Sequence, residues 1–118
     1  MATKYFANKI TTNVGKFDSM AEYRHWLNLE ALRKAASNTE RVTDIARQVV
    51  YRIEVNGQLI TKYIADFVVT FADGRVEIHD VKNPYLVTGK GKSTPAAQMY
   101  KLKCKLLKAI HNVEVKTI

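Results

Sequence analysis

The fold is decided by residues 45–82, which read IARQVVYRIEVNGQLITKYIADFVVTFADGRVEIHDVK. β-Branched and aromatic side chains recur through this stretch and predict three strands, over residues 48–55, 59–71 and 75–82. Asn56-Gly57 stands between the first two strands and favours a two-residue hairpin, because both turn positions need a positive φ. Asp73-Gly74 marks a second tight turn. The stretch therefore predicts an antiparallel meander of three strands.

A first helix is predicted before the meander. Ser19 and Glu22 have the S-x-x-E spacing of a capping box, in which the two side chains satisfy each other's backbone amides. The helix that begins there is expected to run to about Ser37. Its apolar stripe is expected to be buried and consists of Tyr23, Trp26, Leu27, Leu29, Ala31 and Leu32.

A second helix is predicted after the meander. Thr94 is a good N-cap, Pro95 suits the first helical position, and the helix is expected to continue to about His111. One apolar stripe on it comprises Met99, Leu102, Leu106 and Ile110, and a roughly opposite basic stripe comprises Lys101, Lys105 and Lys108. Residues 113–118 predict a final strand. This order predicts an α/β fold with a mixed, mostly antiparallel sheet flanked by helices.

Length and composition predict a single domain over residues 1–118, in which residues 1–16 form a basic N-terminal arm or an edge hairpin. The one cysteine excludes a disulfide framework and a cysteine-rich zinc site. No apolar run approaches the roughly 18 residues that a membrane span needs, and the N-terminus lacks the apolar segment of a secretory signal. We therefore expect a cytoplasmic protein with no membrane partner.

Positive charge is concentrated in the last third of the chain. The formal net charge is +8, yet residues 1–81 hold 11 basic and 10 acidic side chains. Residues 82–118 hold eight basic side chains and one acidic side chain, Glu114. Such a basic field favours a polyanionic partner, since each lysine placed near a phosphate releases condensed counterions. A well-solvated surface that aids solubility is the alternative interpretation.

Two carboxylates are predicted to meet on the meander. Asp80 and Lys82 project to the same side of their strand, because successive side chains alternate faces. Counting outward from the Asp73-Gly74 turn places Phe67 opposite Asp80, and Asp66 within about one residue of it. Two carboxylates and an ammonium at one place favour a site for Mg²⁺ or Mn²⁺. An Asp–Lys pair that holds two strands in register is the alternative.

These residues resemble a known signature. Asp66 in a strand, a tight turn and then Asp80-Val81-Lys82 are similar to the PD-(D/E)XK nuclease motif, and the order of elements is similar to the restriction-endonuclease-like core of that superfamily. Glu22, within Phe17-Asp18-Ser19-x-x-Glu22, resembles the additional acidic position on the first helix of many such nucleases. Residues 4–118 resemble small phage-encoded proteins, a domain family of unknown function, that are regarded as Holliday-junction-resolvase-like endonucleases. Ala65 stands where such families commonly have proline.

The resemblance implies a role for each matching residue. Asp66 and Asp80 would ligate Mg²⁺ or Mn²⁺, together with the backbone carbonyl of Val81. Lys82 would orient or help to deprotonate the attacking water. Glu22 would hold a metal-bound water or a second ion, although the capping box also explains a glutamate there.

Contacts to DNA are expected from polar side chains that follow the meander, namely Lys90, Lys92, Gln98, Lys101, Lys105 and Lys108. Gln48 is a weaker candidate. Gly91-Lys92-Ser93 fits the end of a P-loop, but that motif needs a glycine at the position of Leu86, so no nucleotide cofactor is expected. The loop that carries Lys90 and Lys92 is expected to fold over DNA, and a surface loop without a function is the alternative.

The three histidines (His25, His79 and His111) have no metal-ligand spacing, and they are expected to pack or to lie on the surface. The expected function is metal-dependent hydrolysis of phosphodiester bonds in DNA, with branched DNA in recombination or DNA processing as the substrate that the resemblance implies. The resemblance also implies a homodimer, in the cytoplasm of a bacterial host if the protein is phage-encoded. Two alternatives stay open: a non-catalytic DNA-binding protein on the nuclease fold, and a nuclease subunit that needs a partner.

Overall fold

A computed structural model describes residues 10–12, 15–81 and 94–118. Its strands are β1 (Ile10–Thr12), β2 (Gly15–Phe17), β3 (Val42–Val55), β4 (Gln58–Phe71), β5 (Val76–Asp80) and β6 (Glu114–Thr117). Its helices are α1 (Met20–Ala31), a short 3₁₀ helix (Leu32–Lys34) and α2 (Pro95–His111). No helix in these ranges is long and apolar enough to cross a membrane.

The described strands form two sheets. β1 and β2 pair as a small antiparallel hairpin. The larger sheet has the order β3-β4-β5-β6, with antiparallel pairing from β3 to β5 and parallel pairing between β5 and β6. A parallel pair needs a crossover connection, and the segment that contains α2 provides it. The predicted α/β class with a mixed, mostly antiparallel sheet is confirmed.

Local sequence signals determine the turns and the helix starts. Asn56 and Gly57 have φ values of 51° and 79°, which confirms the predicted hairpin with two positive-φ residues. The Ser19 hydroxyl accepts from the Glu22 amide at 3.1 Å, and the Thr94 hydroxyl accepts from the Ala97 amide at 3.0 Å. Both predicted N-caps are therefore confirmed.

The first helix is shorter than predicted. It ends at Ala31 and tightens into the 3₁₀ turn, rather than continuing to Ser37. Ala35 then adopts an extended conformation, and the Arg41 guanidinium donates to the carbonyls of Ala35 and Ala36. The Arg41 guanidinium thus provides donors for carbonyl groups that follow the helix, and it holds the segment after the helix in place.

The predicted apolar stripes of the two helices are confirmed only in part. On α1, Leu29 is fully buried and Tyr23 and Trp26 pack half-buried against the same cluster, whereas Leu27, Ala31 and Leu32 are exposed. The buried residues of α2 are Ala97, Tyr100 and Leu107, and Met99, Leu102 and Ile110 of the predicted stripe are exposed. Leu106, the fourth residue of that stripe, packs half-buried beside the buried residues, and the Tyr100 hydroxyl, bonded to Thr117 at 2.8 Å, holds this face of α2 against β6.

Two hydrophobic clusters flank the sheet. One contains Phe17, Leu29, Val42, Phe67, Val69 and Phe71 and packs against α1. The other contains Ile53, Tyr63, Ala65, Ile78, Tyr100 and Leu107 and packs against α2. The adjacent residues Ile78 and His79 of β5 face α2 and α1 respectively, so the helices lie on opposite sides of the sheet.

The odd-numbered side chains of β4 pack in different hydrophobic clusters on the two sides of Asp66. Ala65 packs in the cluster with α2, whereas Phe67, the next odd-numbered residue, packs in the cluster with α1. Gln48 lies across from Asp66, between the pairs Arg47–Phe67 and Val49–Ala65, and has a φ of 53°. A positive φ is unfavourable for a residue with a side chain, so the strand pair is locally strained where Asp66 emerges.

Candidate functional site

The register of β4 and β5 places Asp66 across from Asp80. Phe67 pairs with His79 and Thr70 with Val76, so the predicted pairing of Phe67 with Asp80 is wrong by one residue. The turn between β4 and β5 is closed by a hydrogen bond from the Phe71 amide to the Arg75 carbonyl. The turn is therefore centred on Asp73. Equal counting from Asp73-Gly74 assumed a centre between those two residues. The expectation that Asp66 lies within one residue of Asp80 is confirmed.

Each of the two aspartates is bonded to the backbone beside the other. The Asp66 amide donates to Asp80 Oδ1 at 3.0 Å, and the Val81 amide donates to Asp66 Oδ2 at 2.9 Å. Asp80 is fully buried, and Asp66 is partly buried. Backbone donors hold both carboxylates in place at the end of β5, and charge-assisted bonds of this kind are stronger than neutral ones.

Glu22 lies beside this pair although it comes from α1. Its side chain is 3% exposed, and its Oε1 accepts from the Asp18 amide at 3.3 Å. The carboxylate therefore bonds to the residue before Ser19, not to Ser19 itself as the capping box predicts. Burial, and secondarily the nearby charge of Asp66, raises the pKa of Glu22 to about 7. Three carboxylates, one each from α1, β4 and β5, thus face one region.

Arg47 is a neighbour that sequence reasoning missed. Its guanidinium lies 3.7 Å from the centre of the Phe17 ring, and its Nη2 is 3.8 Å from Glu22 Oε1. The same nitrogen donates to the carbonyl of Lys16. An arginine in an otherwise apolar strand pattern is the signal that could have identified it. Arg47 places a cation next to the acidic group, where a phosphate would also be attracted.

The face of the sheet that α1 covers also carries a chain of polar side chains. His25 Nε2 lies 2.8 Å from His79 Nδ1, and His79 Nε2 lies 2.9 Å from Glu77 Oε1. Glu77 also pairs with Lys116 and Arg75. Burial, and secondarily the charge of His79, lowers the pKa of His25 to about 4. No local pattern predicts the contact between His25 and His79, because they are 54 residues apart along the chain.

The residues predicted to contact DNA fall into two groups. Lys82, Lys90 and Lys92 lie outside the described residues. Gln98, Lys101, Lys105 and Lys108 are exposed on α2, and Gln48 is exposed on β3. Lys108 Nζ is 2.6 Å from Glu114 Oε2, which offsets part of its charge. Lys101 and Lys105 are exposed on α2 and form no ion pair with the described residues, so their charges are the ones best placed to attract a polyanion.

Within the described ranges, no three His, Cys, Asp or Glu side chains are grouped closely enough to hold a metal ion by themselves. Comparisons with curated proteins and with solved structures gave no match. A family model for a protein of unknown function, DUF1064, matches residues 2–116. Since this match covers almost the whole chain, the protein belongs to the DUF1064 family.

Proposed function

We propose that the protein is a metal-dependent DNA endonuclease of the PD-(D/E)XK type. The observation that carries the proposal is the crossed pair of Asp66 and Asp80, each bonded to the backbone beside the other, with buried Glu22 nearby. Carboxylates in such a setting are costly unless a cation compensates their charge. The resemblance of Asp66 and Asp80-Val81-Lys82 to the nuclease motif supports the same function.

The donor set suits Mg²⁺ or Mn²⁺. Mg²⁺ keeps several waters and is held through one or two protein carboxylates together with substrate phosphates. Asp66, Asp80 and the carbonyl of Val81 would supply the protein ligands, which is consistent with the absence of a three-carboxylate cluster in the described part of the chain. A carboxylate has about four lone-pair positions, so it can accept from a backbone amide and also ligate a cation. When bound, the ion lowers the pKa of a water and neutralises charge on the scissile phosphate.

The remaining side chains would manage the water and the phosphate. Lys82 would hold the attacking water and assist removal of its proton as the new P–O bond forms. The bond from phosphorus to the leaving sugar oxygen then breaks, and that oxygen gains a proton. Glu22 would hold a second water, and the Arg47 guanidinium would attract a phosphate oxygen.

The binding surface would be the exposed face of α2. Its lysines lie on a different side of the helix from Ala97, Tyr100 and Leu107, which pack on the sheet. Burial raises the pKa of Tyr100, and the charge of Asp80 adds a smaller contribution, so the helix passes close to the carboxylate pair. DNA held by Lys101 and Lys105 would therefore have a phosphate within reach of the site. Branched DNA in recombination or DNA processing is the substrate we propose.

The test is a cleavage assay with purified protein on plasmid, linear duplex, single-stranded and four-way-junction DNA. Each substrate is incubated with Mg²⁺, Mn²⁺ or EDTA. Asp80→Asn is the site variant and Asp44→Asn, an exposed aspartate on β3, is the matched control. We expect cleavage that needs the metal, is lost in Asp80→Asn and is retained in Asp44→Asn. Preference for the junction would support the branched-DNA assignment.

Other results would contradict the proposal in distinct ways. Tight DNA binding without cleavage of any substrate would indicate a non-catalytic DNA-binding protein or a subunit that needs a partner. Cleavage that persists in EDTA or in Asp80→Asn would exclude the proposed site. Sedimentation of the same preparation tests the proposed homodimer.

A further inference from the structure

A groove lies between β4 and α2. It has a volume of about 400 Å³ and is lined by Lys62, Tyr63 and Ile64 of β4 and by Met99, Tyr100 and Lys103 of α2. β4 pairs with β5 only from Phe67 onward. Residues 62–64 of β4 precede this pairing and have β3 as their described partner strand. The groove therefore opens where β4 extends past the end of β5.

Its floor is apolar and accessible. Ile64 is 57% exposed and Met99 is 52% exposed, and they come from the two opposing elements. Tyr63 is 5% exposed, and its buried hydroxyl has no hydrogen-bond partner among the residues that the structure describes. A buried polar atom of this kind is unfavourable until a ligand or a water completes its bonding.

Its edge is cationic. Lys62 is exposed, and Lys103 Nζ donates to the carbonyl of Lys62 at 3.4 Å. That bond keeps the ammonium of Lys103 at the strand edge. An apolar floor between two ammonium groups is complementary to a flat, uncharged ring joined to anionic groups, which is the chemistry of a nucleotide.

The groove is also close to the carboxylate pair. Ile64 precedes Asp66 by two residues on the same strand, a distance of about 6.6 Å at the rise of a β-strand. DNA advances about 3.4 Å per nucleotide along its axis, so the separation corresponds to about two nucleotides. A DNA strand with one phosphate at Asp66 and Asp80 would thus place a nearby base over this groove.

We propose that the groove between β4 and α2 binds one unstacked nucleobase of the DNA substrate, with the adjoining phosphates on Lys62 and Lys103. The inference rests on the proposed function and extends it, because it requires DNA with unpaired bases close to the bond that is cut. A second copy of the chain is a poorer occupant, since it would bring cationic surfaces of two proteins with a net charge of +8 together.

The experiment separates base binding from phosphate binding. Fluorescence anisotropy measures the affinity of the full chain for a labelled thymidine dodecamer and for an abasic dodecamer with the same phosphates, in EDTA and again with Ca²⁺. Burial of one base against this apolar floor is expected to make the thymidine oligonucleotide bind about 5-fold more tightly or better. Equal affinities would overturn the inference.

A matched pair of variants localises the effect. Met99→Ala removes the floor of the groove and is expected to lower the thymidine-to-abasic affinity ratio by about threefold or more. Leu102→Ala removes a side chain of α2 that is similarly exposed but does not line the groove, and it is expected to leave the ratio unchanged. Neither side chain is buried, so both variants are expected to fold. Equal ratios in the two variants would place the base elsewhere.

The remaining outcomes assign the groove to another occupant. Loss of self-association in Met99→Ala, measured by sedimentation, would make the groove a contact between copies. Tighter binding of an acidic amphipathic peptide than of the thymidine dodecamer, lost in Met99→Ala, would make it a protein-binding site. Either result, or binding of neither dodecamer, would overturn the inference. Cleavage of duplex and junction DNA is measured separately, so the nuclease proposal can stand when this inference fails.

Discussion

The backbone amide of Asp66 donates to the Asp80 carboxylate at 3.0 Å, across two neighbouring antiparallel strands. Asp66 in turn accepts from the Val81 amide at 2.9 Å. Main-chain groups thus orient both carboxylates, so their positions depend on strand register. Substitution of one carboxylate by an amide is therefore expected to remove charge while it preserves the local geometry.

Metal binding is expected to stabilise the fold through Asp80. The amide oxygen of Asp80→Asn can still accept from the Asp66 amide, but a neutral amide is a poorer ligand for Mg²⁺. Mg²⁺ at 100 times its dissociation constant would stabilise the wild type by about 2.7 kcal/mol and raise its Tm. We expect no such rise for Asp80→Asn and a normal rise for Asp44→Asn, measured by differential scanning calorimetry. An equal rise in all three proteins would contradict the site.

The lysines on α2 are expected to set the salt dependence of DNA binding. Each lost phosphate contact reduces the slope of log K against log salt by about 0.9. The double substitution of Lys101 and Lys105 by alanine should therefore reduce the slope by about 1.8. Lys34→Ala, which removes an exposed lysine from the short 3₁₀ helix, serves as the control and should leave the slope unchanged. Equal slopes for the double variant and the wild type would exclude these phosphate contacts.

His25 is expected to lower the stability of the fold in acid. Its pKa is about 4 in the fold against an ordinary value of 6.5, and its polar neighbours are His79 and, through His79, Glu77. The unfolded chain therefore binds this proton first, and the contribution present above pH 6.5 is lost as pH falls toward 4. We expect His25 to contribute a loss of about 1–2 kcal/mol over this window after solvent screening, while Glu22, whose pKa is raised to about 7, contributes in the opposite direction.

Urea denaturation at several pH values measures this effect. In His25→Gln the amide nitrogen can still donate to His79, but the side chain does not titrate. The variant should therefore lose less stability than the wild type between pH 6.5 and pH 4. The same loss in both proteins would show that another group is responsible.

Two tyrosines with different hydroxyl environments provide a matched comparison. The buried Tyr63 hydroxyl has no described hydrogen-bond partner, so Tyr63→Phe should be neutral or should stabilise the fold by up to about 1 kcal/mol. The Tyr100 hydroxyl is bonded to Thr117, so Tyr100→Phe should destabilise it by about 1 kcal/mol. Chemical denaturation of both variants tests the difference. A larger loss in Tyr63→Phe than in Tyr100→Phe would contradict these assignments.

Gln48 is expected to carry backbone strain. Its φ of 53° is costly for a residue with a Cβ atom, by roughly 1–2 kcal/mol, and glycine avoids that cost. After the entropic penalty of glycine, Gln48→Gly should stabilise the protein by about 0.5–1 kcal/mol. Gln58→Gly, at the start of β4, should destabilise it instead. Thermal unfolding of the two variants decides whether the strain is present.

The sequence by itself determined the order of the main elements, the hairpin turn and both helix starts. The positive-φ turn at Asn56-Gly57, the caps at Ser19 and Thr94 and the β-branched runs act within a few residues, so their effect can be read locally. The proximity of Asp66 and Asp80 was also predictable, because a tight turn joins their strands. The exact register was not, since it depends on whether the turn is centred on Asp73 or between two residues.

The tertiary structure alone decided which helix face is buried and which distant side chains meet. Met99 and Leu102 look like core residues in the sequence, but the packing of Tyr100 on β6 turns them outward and leaves the groove open. Arg47 reaches Glu22, and His25 reaches His79, only because α1 crosses one face of the sheet. Such contacts depend on how whole elements pack, and packing is a property of complementary surfaces that no local pattern along the chain encodes.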